Sequence, residues 1–341
     1  MIDKGDWDGA LVANKKAIEL DPQHATAYSN LGVVLANRGD LKKAIAAYKK
    51  AIELNPQLAA AHYNLGFERE NEGDWDGAIA AYKKAIECNP KFISAYTHLG
   101  ILLERRGDVD GAMAVFKTAT ELNPKDAAAH SNLGLALANR GDWNGAIAAY
   151  KKAIRLNPKY ANAYSNLGVA LQRKGDWEGA IIAFKTATEL NPQYGPAYIN
   201  LGVAMQHKGD WDGAVAAFKK ALQRHPKDAT IHNNLAYLLA AGPDRVRDGY
   251  QAVEYATRAC ELSGWKIAHY IHTLAAAYAE AGDFDKAIEY QKRALSDAAF
   301  AKREGPEARK RLALYGQKKA YRDPSLQQLP QAPLPHEPKR P

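Results

Sequence analysis

The sequence predicts an all-α solenoid of antiparallel helix pairs, and three observations carry that prediction. The stretch Tyr28-Ser29-Asn30-Leu31-Gly32 returns in pattern at 62–66, 96–100, 130–134, 164–168 and 198–202, each time 34 residues further on. A fixed period of that length marks one helix-turn-helix unit copied along a stack. Second, Gly-Asp and Asn-Pro pairs punctuate the chain at the same period, where helices must start and stop. Third, 47% of the 341 residues are hydrophobic and 25% charged, and no apolar run approaches the roughly 20 residues of a membrane span.

Residues 1–24 read as a partial first repeat, a second helix from Gly5 to Leu20 stopped by Asp21-Pro22. Six complete units follow without insertion at 25–58, 59–92, 93–126, 127–160, 161–194 and 195–228. Slot 8 of each is Gly32, Gly66, Gly100, Gly134, Gly168 or Gly202, and slot 20 is Ala44 or its copies. A mid-helix Gly costs about 0.5–1 kcal/mol relative to Ala, so its recurrence signals a close approach of the paired backbones that outweighs the cost. In the second helix, Ala51 and its copies at slot 27 follow the aromatic slot 24, which holds Tyr48, Tyr82, Phe116, Tyr150, Phe184 and Phe218. Spaced by three, these line one apolar stripe. In the turn Gly39-Asp40 and its copies, Gly suits a left-handed helix end and Asp suits a cap on the next helix. Asn55-Pro56 and its copies, with His225-Pro226 in the last unit, stop the second helix.

With small residues at slots 8, 20 and 27, aromatics at 4 and 24 and Pro at 32, residues 25–228 resemble the tetratricopeptide repeat family. The resemblance implies a right-handed superhelix whose first helices line a concave groove and whose second helices face outward.

Residues 229–301 continue as two divergent units. The first keeps Leu235, Ala236, Ala252 and Ala259, but Gly242 to Arg247 lengthens its inter-helix turn by four residues. The second, about 268–301, keeps Leu274, Gly282-Asp283-Phe284, Ala287 and Ala294 and puts Gln291 in the aromatic slot. Residues 302–322 are expected to hold a capping helix, read from Pro306 to Ala320, whose charged Arg309, Lys310 and Arg311 cover the open apolar end. Six prolines within 323–341 predict a disordered tail with polyproline character, in which Pro330 and Pro333 give a PxxP spacing.

The net charge of +8 is concentrated: residues 300–341 hold ten Lys/Arg against four Asp/Glu, which leaves +2 for the rest. A nearly neutral array argues against a nucleic-acid partner. Lys49-Lys50, Lys83-Lys84, Lys151-Lys152 and Lys219-Lys220 read as a solvated outer face. The start, Met1-Ile2-Asp3-Lys4, has no secretory pattern, which points to the cytoplasm. It also falls mid-unit, so either the true N-terminus lies upstream or an unpaired second helix begins the chain. Cys88, in a slot that Leu20 and Leu54 hold elsewhere, reads as a buried small hydrophobe.

No catalytic or cofactor motif is present: the sequence holds no P-loop, no GxSxG and no HExxH, and no cofactor is expected. His269 and His272 lie one helical turn apart without further ligands at metal spacing, so packing or solvation is expected of them. Asp74-Trp75-Asp76 and its copies recur at every turn, as capping residues would and acid–base pairs would not. Trp7, Trp75, Trp143, Trp177 and Trp211 share a slot with Leu41 and Val109, which predicts core packing.

One slot lacks a packing account. Slot 6 holds Asn30, Asn64, Asn132, Asn166, Asn200 and Asn234, broken by His98. Asn is a mediocre helix former that competes for its own backbone. Two readings stand: each Asn bonds between repeats or copies a recent duplication, or the amides form a ladder that grips the backbone of an extended peptide. In this the chain is similar to the superhelical arm of the O-linked N-acetylglucosamine transferases, where Asn ladders hold a peptide main chain; Ala129-His130-Ser131-Asn132-Leu133 carries that likeness. The resemblance implies a groove at the matching Asn positions, without the catalytic domain. On the same face slot 9 (Val33, Phe67, Ile101, Leu135, Val169, Val203, Tyr237) and slot 13 (Arg105, Arg173, His207) would supply apolar and cationic anchors. The expected function is therefore non-enzymatic binding of a protein or peptide partner in the groove, with no membrane insertion. A non-catalytic arm of a larger kinase or glycosyltransferase, or a scaffold that self-associates end to end, are the alternatives.

Overall fold

The structure is a computed structural model that describes residues 6–327. The chain divides into two compact units, residues 1–158 and 159–341.

Unit 1 holds α1 (Trp7–Leu20), α2 (Ala25–Asn37), α3 (Leu41–Leu54), α4 (Ala59–Asn71), α5 (Trp75–Cys88), α6 (Ile93–Arg105), α7 (Val109–Leu122), α8 (Ala127–Asn139) and α9 (Trp143–Leu156). Each second helix starts on an Asp whose carboxylate accepts the backbone N–H three residues on, as Asp74 does from Gly77 and Asp108 from Gly111, both at 2.9 Å. Each such cap is worth about 1 kcal/mol. Gly39 and Gly73 precede two of these caps at φ +82°, the left-handed value that ends the first helix.

The slot-8 glycines answer to a ring rather than to a backbone. A Cβ built on Gly100 would lie 2.5 Å from Phe116 Cε1, and one on Gly134 would lie 2.7 Å from Tyr150 Cε1. Slots 8 and 24 are thus one packing decision: the aromatic side chain occupies the volume that any larger residue would need. Tyr82, Phe116, Leu99 and Leu102 are fully or almost fully buried around that contact, with Ala78 and Ala112 filling the gaps. Successive first helices touch, α2 with α4 and α6 with α8.

Two periodic contacts tie neighbouring repeats together. The slot-4 side chain reaches back to the carbonyl of the preceding Pro: His62 Nε2 is 2.9 Å from Pro56 O, Tyr96 Oη donates to Pro90 O at 3.2 Å, and His130 Nε2 is 3.1 Å from Pro124 O. A polar tip on an aromatic body is therefore what slot 4 requires. Acids at slot 18 pair with bases at slot 14 of the next repeat, Asp76 with Arg106 at 2.7 Å and Asp110 with Arg140 at 3.5 Å. These pairs are exposed and contribute at most about 1 kcal/mol each.

Unit 2 holds α10 (Ala161–Arg173), α11 (Trp177–Leu190), α12 (Gly195–His207), α13 (Trp211–Arg224), α14 (Ala229–Ala241), α15 (Gly249–Leu262), α16 (Ala268–Glu280), α17 (Phe284–Leu295), α18 (Ala298–Gly316) and a single turn, α19 (Pro324–Gln327). Its first two pairs repeat the slot-8 rule, with Gly202 against Phe218. The divergent pairs abandon it consistently: Ala236 stands at slot 8 with the small Ala256 at slot 24, and Ala275 stands at slot 8 with a buried Gln291 at slot 24. Where the ring is lost, the glycine is lost. The lengthened turn after α14 is fastened by Arg247, which donates to Gly242 O at 3.0 Å and to Glu280 Oε1 at 3.1 Å.

Several expectations need correction. The capping helix starts at Ala298 rather than Pro306, because Asp297 caps it through the Phe300 N–H at 2.7 Å and Phe300 is buried; Pro306 sits inside the helix. The Pro-rich tail, expected to be unstructured from 323, instead begins with Asp323 donating its N–H to Ala241 O at 3.1 Å and with the turn α19 directly after it. The remainder of that tail, with its PxxP spacing, lies outside the described residues. Of the Trp slot, expected to be core, Trp211 is buried and Trp177 is half-buried against the same core, but Trp75 is 38% exposed. Cys88 is only half-buried, whereas Cys260 is fully buried and its thiol is pushed up to about 12 by that burial. His272 is buried, with Nδ1 2.8 Å from Gln291 Oε1, and His269 Nδ1 lies 3.3 Å from Glu304. Among the described residues no group of three or more His, Cys, Asp or Glu could hold a metal ion, and no helix is long and apolar enough to cross a membrane.

Candidate peptide-binding groove

The slot-6 residues sit in mid-helix on the first-helix layer: Asn30 on α2, Asn64 on α4, His98 on α6 and Asn132 on α8 in unit 1, and Asn166, Asn200 and Asn234 on α10, α12 and α14 in unit 2. All seven are half-buried. Among the described residues, none of the six amide side chains makes a hydrogen bond. Helical Asn14, Asn37 and Asn139 do find partners: Asn37 donates to Val33 O at 2.9 Å, Asn14 to Ala10 O at 2.8 Å and Asn139 to Glu104 Oε1 at 2.9 Å. Asn144, Asn162 and Asn233, each isolated at its slot, do not. Bonding between repeats, one of the two readings of slot 6, is therefore not what these amides do.

His98 departs from the ladder for a visible reason. Its Nδ1 lies 3.2 Å from Glu70 Oε2, which also accepts from Tyr82 Oη at 2.9 Å. Around the imidazole stand Tyr63 and Phe67, both edge-on with centroids at 5.6 Å, and Tyr82 at 5.5 Å. Phe67 is itself 40% exposed, so this cluster offers an aromatic face beside a carboxylate and an imidazole. Arg105 is exposed with its guanidinium 3.9 Å from Glu70 Oε1. Glu104, the next acid along α6, is held above the usual carboxylate range by burial, against the opposing bond from Asn139.

The anchor residues of unit 2 are differently placed. Arg173 is exposed at the end of α10. His207 stacks on Trp177 at 3.9 Å with the rings 9° from parallel, and burial lowers its pKa. Tyr237 is not an open anchor. Its hydroxyl donates to Asp323 Oδ2 at 2.6 Å and accepts from Arg311 Nη2 at 3.3 Å, and burial raises its pKa. The chain's own C-terminal segment covers this tyrosine, which local spacing on α14 could not reveal.

Models of tetratricopeptide repeats match residues 2–39 and 134–175, 25–58, 71–134, 159–227, 42–92 and 200–261, and 267–298. No curated protein sequence matches the chain. Among solved structures, a chain of the APC/C hetero-tetramer Cut9-Hcn1 is similar with a TM-score of 0.54 at 20% identity, over 68% of this chain and 46% of that one. Pseudomonas aeruginosa pilF is similar with a TM-score of 0.54 at 20% identity, over 62% of this chain and 96% of that one; these two likenesses concern the fold alone. YrrB, described as a TPR protein with an unusual peptide-binding site, matches with a TM-score of 0.49 at 28% identity, over 54% of this chain and 95% of that one.

Proposed function

Since the chain belongs to the tetratricopeptide repeat family, we propose that it is a protein-interaction scaffold that grips the main chain of an extended peptide through its slot-6 amides. The observation that supports this reading is the contrast between asparagines. Asn14, Asn37, Asn71 and Asn139 are bonded within the chain, while Asn30, Asn64, Asn132, Asn166, Asn200 and Asn234, all at one recurring slot, keep an acceptor and two donors unused.

Magnitudes define what else the site must supply. Three net hydrogen bonds within one unit at about 0.5–1.5 kcal/mol each give roughly 1.5–4.5 kcal/mol, against an association cost on the order of 4–15 kcal/mol. Apolar anchors are needed, and the exposed Phe67 and Leu135 of unit 1 are suited to that role. The aromatic cluster at His98 then fixes where along the array a side chain of the peptide docks, while the amides hold its backbone without regard to sequence.

The test starts from a random peptide library selected on the whole chain, followed by calorimetry of the best peptide. Asn64→Ala/Asn132→Ala is expected to weaken binding about 5- to 150-fold, from two bonds at about 0.5–1.5 kcal/mol each. An unchanged Kd would remove the amides from the mechanism.

A further inference from the structure

Unit 2 already contains a peptide seated on its first-helix layer. The segment Tyr321 to Leu326 follows the end of α18 at Gly316 and lies against α14 and α12. Asp323 bonds at both ends of its backbone and side chain: its N–H to Ala241 O at 3.1 Å and its Oδ2 to the Tyr237 hydroxyl at 2.6 Å. Tyr237 in turn accepts from Arg311, a buried guanidinium whose centre lies 3.6 Å from the Tyr321 ring centroid. Three residues after Asp323, Leu326 and its neighbour Ser325 close one wall of a cavity of about 310 Å³ whose other wall is Val203, Gln206 and His207. Val203, His207 and Tyr237 are slots 9 and 13, the slots that should anchor a partner.

We propose that this face of α12 and α14 recognises a short helical turn carrying a carboxylate and, three residues on, an aliphatic side chain, and that Asp323 to Leu326 is its resident occupant. The inference rests on the groove reading for slots 9 and 13. It names the chemistry of the partner that unit 2 accepts: an acidic-aliphatic turn that must displace the chain's own copy. The resident is suited to exchange. A turn as short as Pro324–Gln327 has no helical stability of its own. Tyr321 and Arg322, which meet Arg311 and Glu280, anchor the chain just before it. The turn itself is held by one charge-assisted bond, one backbone bond and one aliphatic contact, few enough for it to open below the free energy of global unfolding. Tethering supplies the resident at an effective concentration in the millimolar range, so a free competitor needs better contacts or a higher concentration.

The test uses the full chain and the variant Asp323→Ala/Leu326→Ala, with Tyr321 left to cover Arg311. The probe is a synthetic peptide of residues 321–327, added up to millimolar concentration while backbone amide signals are followed by NMR. In the wild-type chain the Asp323 and Leu326 amides should exchange with solvent at least about tenfold more slowly than in the free peptide. The peptide should move α12 and α14 signals of the variant toward their wild-type positions and leave the wild-type chain unmoved. Exchange at free-peptide rates, no response of the variant, or equal movement in both chains would each overturn the proposal. Calorimetry on Asn64→Ala/Asn132→Ala involves neither these residues nor this peptide, so failure of the amide ladder and failure of the resident turn are read separately.

Discussion

In unit 1 the rings of Tyr48, Tyr82, Phe116 and Tyr150 press on slot-8 glycines, and the contacts between repeats are the same few bonds copied. In the last pairs of unit 2 that ring is replaced by Ala256 and then by Gln291. The vacated space takes a buried polar group, His272 bonded to Gln291, beside the buried Arg311. One region is specified by volume and can be extended by duplication. The other is specified by particular polar partners and ends the array, because its contacts have no counterpart one period on. The same division runs through the candidate site: amides are left open in both units, but the aromatic slot-9 anchor is exposed in unit 1, at Phe67, and covered in unit 2, at Tyr237.

The largest expected effect that separates these regions is a response to acid. Burial, with the Arg311 charge second, lowers the His272 pKa from 6.5 to about 3. A depressed imidazole contributes stability that is fully present above about pH 6.5 and is lost as pH falls toward 3, at about 1.4 kcal/mol per pH unit. Protection factors of α16 and α18 amides, taken against the intrinsic exchange rate at each pH, should therefore fall on acidification, and His272→Asn should abolish that part of the slope. An identical pH response in the variant breaks the comparison. A smaller effect concerns volume. Gly134→Ala is expected to cost about 1–3 kcal/mol, despite the helix propensity Ala brings, because the new methyl meets the Tyr150 ring. Urea unfolding checks it, and a neutral or stabilising result would mean that the ring yields.

Much of this architecture is legible in the sequence because each packing decision is printed six times. The helix boundaries follow from Asp74 and Pro56 and their copies, and the small slots from Gly100 and Ala112. The partner of each small slot was less legible: helix pairing suggests backbone approach, whereas the structure assigns the space to Phe116. The ion pairs between slots 18 and 14 left a signal that could have been found, since Lys42 and Glu72 hold those slots with signs reversed. His98 could have been linked to Tyr63, Phe67 and Glu70, four departures within two repeats. The return of Asp323 to Tyr237 could not, because 86 residues separate them and no period relates them.

Slot 6 repeats an amide that is open for a ligand, whereas Asn14, Asn37 and Asn139 are closed within the fold. The most direct measurement follows the side-chain amide signals of Asn30, Asn64, Asn132, Asn166, Asn200 and Asn234 by NMR as a selected peptide is added. Asn14 on α1 and Asn55 at the end of α3, bonded to Ala10 and Gln57 and away from slots 6, 9 and 13, serve as internal references. Saturable shifts at slot 6 with the two references unmoved are expected. Shifts confined to the second helices, or equal shifts at Asn14 and Asn55, would contradict the open slot.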